Sequence, residues 1–197
     1  MFFPAQERNC YICSANPNQN KMNQIVKKNG ILFGIFMGVF SVLITTMLYV
    51  IDLKLFMNMW LGIVTIVIYI IIGIVLITKT KKELNNFITF KEAFTAFFIA
   101  AVIGATISVA YNFILFNFID PQAKATIQEM TIKYTVDMME KFGAPADSVN
   151  ETIAKLEGQD NYSAKNMGMG LLFSYVGNAI LGLILAAIFK SRPTYKE

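Results

Sequence analysis

The sequence predicts an all-α, polytopic membrane protein. We expect a bundle of four transmembrane helices, with an extracytoplasmic helical hairpin between helices 3 and 4. Four long apolar runs contain no charged residue, and each reaches the length of about 20 residues that an α-helix needs to cross a hydrocarbon core of roughly 30 Å. The chain is 55% hydrophobic with a mean hydropathy of +0.52, which is more apolar than a soluble domain of ordinary composition. The predicted spans are 30–51, 58–78, 93–118 and 167–189.

These spans define one membrane domain over residues 22–190, with an extracytoplasmic loop at 119–166 and a cytoplasmic tail at 191–197. Residues 1–21 are polar and are predicted to form a disordered tail. The alternative is that translation starts at Met22, which leads directly into the first span. The tail contains a Cys-x-x-Cys pair, Cys10 and Cys13, which supplies too few ligands for a structural zinc site.

The distribution of charge predicts the orientation in the membrane. If both termini and the loop between spans 2 and 3 share one side, that side carries eleven basic and four acidic residues, and the opposite side six basic and nine acidic. Because positively charged loops stay in the cytoplasm, both termini are predicted to be cytoplasmic, in the inner membrane. This segregation explains the net charge of +4 without a nucleic-acid partner, and anionic lipid headgroups are the expected counterions.

Small residues recur at four-residue spacing in three of the spans. Because small side chains let helix backbones approach closely in lipid, these stripes predict helix-packing faces. Packing within one chain is the favoured interpretation, and a homodimer interface through span 1 is the alternative. The helix-packing residues are Gly30, Gly34 and Gly38 in span 1, Ala96, Ala100, Gly104 and Ser108 in span 3, and Ser174, Gly182 and Ala186 in span 4.

Polar side chains inside the spans form a candidate intramembrane patch, made by Tyr111, Asn112, Tyr175 and Asn178. The two asparagines could form a hydrogen bond between spans 3 and 4, which is the usual role of such residues in a membrane. The alternative is that the patch lines a site for a polar solute.

Two helix-capping boxes are predicted from the Ser/Thr-x-x-Glu pattern: Thr89 with Glu92 before span 3, and Ser148 with Glu151 in the long loop. The loop is predicted to contain a helix over 121–142, ended by Gly143, and a short helix after Ser148. The apolar faces of this hairpin could pack over the mouth of the bundle, lie on the outer leaflet, or bind a membrane protein partner through residues 121–157.

Several motifs resemble those of the bacterial membrane family called domain of unknown function 4199. They are the Lys28-Asn29-Gly30 entry to span 1, the segment Thr89-Phe90-Lys91-Glu92-Ala93-Phe94, and Ile119-Asp120-Pro121 after span 3. The resemblance covers Met22 to about Lys190. It implies a four-span inner-membrane protein with no assigned activity, and it transfers no catalytic residues.

These observations predict a non-enzymatic accessory or structural component of the membrane, acting through protein or lipid contacts. The alternative is a small-solute carrier or channel that uses the polar patch. A cavity that reaches Asn112 and Asn178 from one side would favour the carrier, whereas a closed bundle would favour the accessory role. The chain has no histidine, and no pair of carboxylates has a spacing that fixes them together, so we expect no catalytic residue, no metal and no cofactor.

Overall fold

The computed structural model describes residues 17–191, and the surroundings of side chains from Gln24 onward. Cys10, Cys13 and most of the predicted N-terminal and C-terminal tails lie outside the described residues. Within residues 17–191, every regular element is helical. The helices are α1 (Pro17–Ile51), α2 (Met59–Glu83), α3 (Phe90–Ile114), α4 (Pro121–Lys141), α5 (Ala146–Glu157) and α6 (Ala164–Phe189), with a 3₁₀ turn at Leu53–Met57 and a π-helical turn at Leu115–Ile119.

Four of these helices are long and apolar enough to cross a membrane, which confirms the predicted fold class. The candidate spans are Gln24–Ile51, Met59–Glu83, Phe90–Ile119 and Ala164–Phe189. Helix α1 begins at Pro17, within the segment that the sequence assigns to a polar tail. Helix α2 continues to Glu83, beyond the last apolar residue, because its final turns carry lysines that favour the negative end of a helix.

Helix α3 is the central element of the bundle, and α1 packs along it through the predicted glycine stripe. A Cβ atom built on Gly34 would lie 2.8 Å from the Ile103 Cβ atom and 2.9 Å from the Ala100 carbonyl oxygen. Gly30 and Gly38 approach α3 equally closely. The stripe is therefore covered by α3 of the same chain.

The buried residues of α2 and α6 lie in the half of the bundle that carries the lysine-rich loop, which we call the lysine-rich end, although α6 also contacts α3 beyond this half, at Tyr175. The buried residues of α2 are Gly73, Leu76, Ile77 and Thr80, and those of α6 are Gly182, Leu185 and Ala186. Toward the opposite end, Gly62 of α2 and Gly168, Gly170 and Gly177 of α6 have no neighbour within 4 Å of an added Cβ atom. These four glycines are therefore not packed against another helix.

A second apolar cluster closes the opposite end of α1 and α3. Leu115 and Phe116, on the π-helical turn, pack against Ala123 and Ile127 of α4. The Phe116 ring also lies 4.6 Å from the Tyr162 ring, between their centroids. The first half of α4 therefore packs on its own bundle, which is one of the three arrangements that the sequence analysis left open for the loop.

The second half of α4 is not covered in this way. Tyr134 and Phe142 follow the buried Ile127 at helical spacing, yet Phe142 is 83% exposed and Tyr134 is 37% exposed. Helix α4 ends at Gly143, as predicted, because this residue adopts a φ of 74°, which glycine reaches without strain. The Ala144 amide then donates to the Met139 carbonyl oxygen at 2.9 Å, which completes a Schellman motif.

The predicted capping box at Ser148 and Glu151 is wrong. Helix α5 already begins at Ala146, with Pro145 as its N-cap and no side-chain cap. Pro145 has φ −58° and ψ 144°, a geometry that proline adopts readily before a helix. Ser148 and Glu151 therefore lie inside α5 and not at its start. Glu151 instead forms an i,i+4 ion pair with Lys155 at 2.6 Å.

Candidate functional site

A cavity of about 330 Å³ is lined by residues of α1, α2, α3 and α6. Most of its wall is apolar. The polar groups that line it are supplied by all four helices, and they are Ser41, Tyr69, Ser108, Ser174 and Asn178. It is the candidate site because it brings these groups together within the membrane-spanning part of the chain.

Phe97 forms the boundary of this cavity toward the lysine-rich end. Its side chain is 2% exposed and lies between Gly73 of α2 and Gly182 of α6. A Cβ atom on Gly73 would lie 2.6 Å from the Phe97 ring, and one on Gly182 would lie 2.8 Å from it. Two glycines therefore make room for one aromatic ring, which joins three helices and separates the cavity from the buried core beyond.

Of the four residues in the predicted polar patch, only Asn178 lines the cavity. Its amide nitrogen donates to the Ser174 carbonyl oxygen at 2.8 Å and lies 3.2 Å from the Ser174 hydroxyl oxygen. The Asn112 amide likewise donates to the Ser108 carbonyl oxygen of its own helix, at 2.8 Å. The suggested hydrogen bond between Asn112 and Asn178 does not form.

The antiparallel register of α3 and α6 explains why these asparagines are apart. Thr106 lies opposite Tyr175, because their hydroxyl oxygens are 2.7 Å apart. Continuing this register places Asn112 level with Met169, nine residues from Asn178. At 1.5 Å per residue, the two asparagines are separated by roughly 13 Å along the bundle axis.

Hydroxyl pairs, rather than Asn112 and Asn178, join α3 to α1 and α6 inside the membrane-spanning segments. Tyr111 shares a hydrogen bond with Thr46 of α1 at 2.5 Å, and Ser41 shares one with Ser108 at 2.7 Å. These pairs satisfy polar groups that would be costly to leave unpaired in a hydrocarbon environment. Neither tyrosine of the predicted patch lines the cavity; each serves instead to link two helices.

The lysine-rich end contains a buried polar network that the sequence analysis missed. Asn29, which is 3% exposed, donates to the Thr80 hydroxyl oxygen at 3.3 Å and to a Glu83 carboxylate oxygen at 2.9 Å. A buried amide so near the start of a span could have indicated an interhelical bond, but its partners lie more than fifty residues away.

The predicted capping box at the start of α3 is present. The Glu92 amide donates to the Thr89 hydroxyl oxygen at 3.3 Å, and the Thr89 amide donates to a Glu92 carboxylate oxygen at 2.8 Å. Glu92 is buried, so its carboxylate has a structural role at the positive end of the helix.

Asp120 attaches α4 to the end of the bundle opposite the lysines. It accepts hydrogen bonds from the Ala123 amide at 2.9 Å and from the Tyr49 hydroxyl at 2.8 Å. These two bonds, the amide first, hold the pKa of the Asp120 carboxyl below its usual range. Asp120 therefore caps α4 and fixes it to α1.

A second link joins the loop before α6 to α4. The Lys124 ammonium lies 2.5 Å from an Asp160 carboxylate oxygen and 3.2 Å from the Asn117 side-chain oxygen. The hydrogen bond from Lys124 lowers the pKa of Asp160. Among the described residues, no group of three or more His, Cys, Asp or Glu side chains is placed to hold a metal ion.

Comparison with known proteins gives a family and no closer relative. No curated protein and no solved structure matches the chain. A family model described as "Protein of unknown function (DUF4199)" matches residues 32–191, which is most of the chain and includes all four candidate spans in whole or in large part. The chain therefore belongs to the DUF4199 family of proteins of unknown function.

Proposed function

We propose that this protein is a non-enzymatic component of a membrane, accessory or structural, that acts by contact with another membrane protein or with lipid. The observation that carries the proposal is the exposed second half of α4. This helix is fixed firmly to the bundle at Asp120, yet Tyr134 and Phe142 at its other end are left uncovered. A rigidly held helix that presents aromatic side chains is suited to a protein contact.

The arrangement of polar groups supports a non-enzymatic role. Each polar side chain of the predicted patch is used in a hydrogen bond to a helix: Tyr111 and Tyr175 between helices, and Asn112 and Asn178 within one helix. The carboxylates Glu92, Asp120 and Asp160 cap helices or pair with a lysine. Catalysis would require such groups to converge on a shared reacting atom.

The distribution of lysines supports an inner-membrane location with the lysine-rich end in the cytoplasm. The described lysines at that end are Lys27, Lys28, Lys79, Lys81, Lys82, Lys91 and Lys190. Positively charged segments beside transmembrane helices are retained in the cytoplasm. This orientation places α4 and α5 on the extracytoplasmic side, where the exposed face of α4 would meet its partner.

One observation favours the second candidate function, a small-solute carrier. The cavity is lined by Asn178 and Ser174 and lies on the side of Phe97 that faces away from the lysine-rich end. It does not reach Asn112, and Phe97 separates it from the lysine-rich end, so transport would require the Phe97 ring to move out from between Gly73 and Gly182.

Photocrosslinking in native membranes tests the leading proposal. A photoreactive amino acid at Phe142 should capture one protein in stoichiometric yield, whereas the same probe at the exposed Glu157 of α5 should capture much less. The variant Phe142→Asp should then lose co-purification of that protein and keep the same thermal stability. If neither probe, at position 142 or at position 157, captures a stoichiometric partner, the accessory role through α4 is wrong. Uptake assays with Asn178→Ala would then test the carrier.

A further inference from the structure

A second apolar groove lies between α1 and α2, on the side of the bundle away from α6. Its volume is about 620 Å³, and its walls are formed by Leu32, Phe33, Ile35, Phe36 and Val39 of α1 and by Ile71, Ile72 and Val75 of α2. The α1 wall is about 10 Å long at 1.5 Å per residue. This length fits within one leaflet, whose hydrocarbon half is roughly 15 Å thick.

A lysine marks the end of the groove nearest to the membrane surface. Lys79 is the one charged residue in its lining, and its ammonium lies 5.5 Å from the centre of the Phe33 ring. This cation–π contact holds the ammonium over the apolar walls instead of letting it extend freely into water. The groove thus has an apolar body and a fixed positive charge at one end.

Two more lysines follow the same faces toward the surface. Lys28 lies one turn before Leu32 on α1, and Lys82 lies one turn after Lys79 on α2, so both project beside the groove. Among the residues that the structure describes, none of these three lysines forms an ion pair. Glu83, which follows Lys82 in the sequence, accepts a hydrogen bond from the buried Asn29.

We propose that this groove binds an anionic phospholipid of the leaflet at the lysine-rich end. An acyl chain lies against the walls of α1 and α2, and the phosphate and anionic headgroup contact Lys28, Lys79 and Lys82. Basic pockets between transmembrane helices are known to recognise anionic headgroups in this way. This surface is separate from the face of α4, so the two proposals can fail independently.

The charge also argues against a second copy of the chain as the occupant. Two copies with the same membrane orientation would meet about a two-fold axis normal to the membrane, which brings identical residues to the same depth. The three lysines of each copy would then face each other, with Glu83, which also accepts a hydrogen bond from Asn29, as the one carboxylate beside them in sequence on α1 and α2. A lipid with a negative headgroup removes this repulsion, whereas a second copy creates it.

Lipid retention measured by native mass spectrometry tests the proposal on the full chain. The protein is exchanged into phosphatidylglycerol or phosphatidylcholine and then diluted into neutral detergent. We expect phosphatidylglycerol to be retained, with affinity falling about fivefold for each lysine removed in Lys28→Gln, Lys79→Gln and Lys82→Gln. The matched control is the triple variant Lys54→Gln, Lys133→Gln and Lys141→Gln, which removes three exposed lysines at the opposite end and should not change retention.

A groove-filling variant separates the apolar part of the site from its charge. Val75→Phe leaves every lysine in place but occupies the groove, and it should also lower phosphatidylglycerol retention. Equal retention of phosphatidylcholine, or equal retention by all variants, would overturn the proposal. So would a loss seen only in the lysine variants, because the lipid would then be held at the surface and not in the groove. A dimer that Val75→Phe disrupts while lipid retention stays constant would assign the groove to a second copy instead.

Discussion

The close contact of α1 and α3 at Gly34 predicts that the smallest possible substitution, Gly34→Ala, destabilises the bundle. The added Cβ atom would lie 2.9 Å from the Ala100 carbonyl oxygen, 3.0 Å from the Ala100 Cα atom and 2.8 Å from the Ile103 Cβ atom. Two of these three atoms belong to the backbone, and none can rotate away. The helices must therefore separate by several tenths of an ångström to restore ordinary contact.

The size of the effect follows from two opposing terms. Overpacking a well-filled interface costs about 1–3 kcal/mol, and the upper part of this range applies because backbone atoms are involved. Replacing glycine by alanine within a helix contributes about 1 kcal/mol in the opposite direction. The expected net loss is therefore about 2 kcal/mol in the free energy of unfolding.

The control for this prediction is Gly62→Ala in α2, because nothing lies within 4 Å of an added Cβ atom there. It should leave stability unchanged or raise it by up to about 1 kcal/mol. Both variants would be unfolded reversibly in mixed micelles by adding a denaturing detergent, with far-ultraviolet circular dichroism as the signal. If Gly34→Ala is as stable as the parent, or if Gly62→Ala loses as much, the close packing of α1 on α3 is wrong.

Three further predictions concern the aromatic wedge, the buried network and the loop. Phe97→Ala should lower the free energy of unfolding by about 1–3 kcal/mol in the same detergent assay. This loss is smaller than in a soluble core, because helices in lipid gain little from burying apolar side chains against each other. An unchanged free energy of unfolding would show that the ring does not join α2 to α6. Asn29→Leu should cost about 1 kcal/mol for each of its two lost hydrogen bonds, and wild-type stability would contradict the network with Thr80 and Glu83. The stabilisation by Asp160, whose pKa is lowered by Lys124, should be complete above the unfolded pKa of about 3.9 and be lost as the pH falls through the lower folded pKa. Hydrogen-exchange protection of α4, corrected for intrinsic rates, should fall further in this acidic range in the parent than in Asp160→Asn, where Asp120 still titrates, and identical profiles would refute the role of this pair.

Local patterns in the sequence were sufficient for the spans, the glycine stripe and the cap at Thr89. Each depends on residues within a few turns of one another: an apolar run long enough to cross a bilayer, small residues at four-residue spacing, or a hydroxyl three residues before a carboxylate. The same local reasoning failed at Ser148, because Pro145 offered an earlier start for α5. Two local signals competed there, and the pattern of capping residues alone did not decide between them.

The candidate site could not be derived in this way, since it depends on the register between helices. Asn112 and Asn178 both have polar side chains in the middle of apolar spans, but the pairing of Thr106 with Tyr175 sets them roughly 13 Å apart along the bundle axis. The cavity exists because Phe97 fits between Gly73 and Gly182, which lie on helices distant in sequence. The spacing of residues within one helix does not contain this information.

The most direct test of the account is the sidedness of the two ends of the bundle. In a background with Cys10→Ser and Cys13→Ser, a single cysteine would be introduced either as Asn86→Cys, in the turn between α2 and α3, or as Asn150→Cys, in α5; both positions are exposed. Intact cells would then be treated with a membrane-impermeant thiol reagent. We predict that the cysteine at position 150 reacts in intact cells and that the one at position 86 reacts only after the membrane is opened. Labelling of both positions in intact cells, or of position 86 alone, would contradict a four-span bundle whose lysine-rich end faces the cytoplasm.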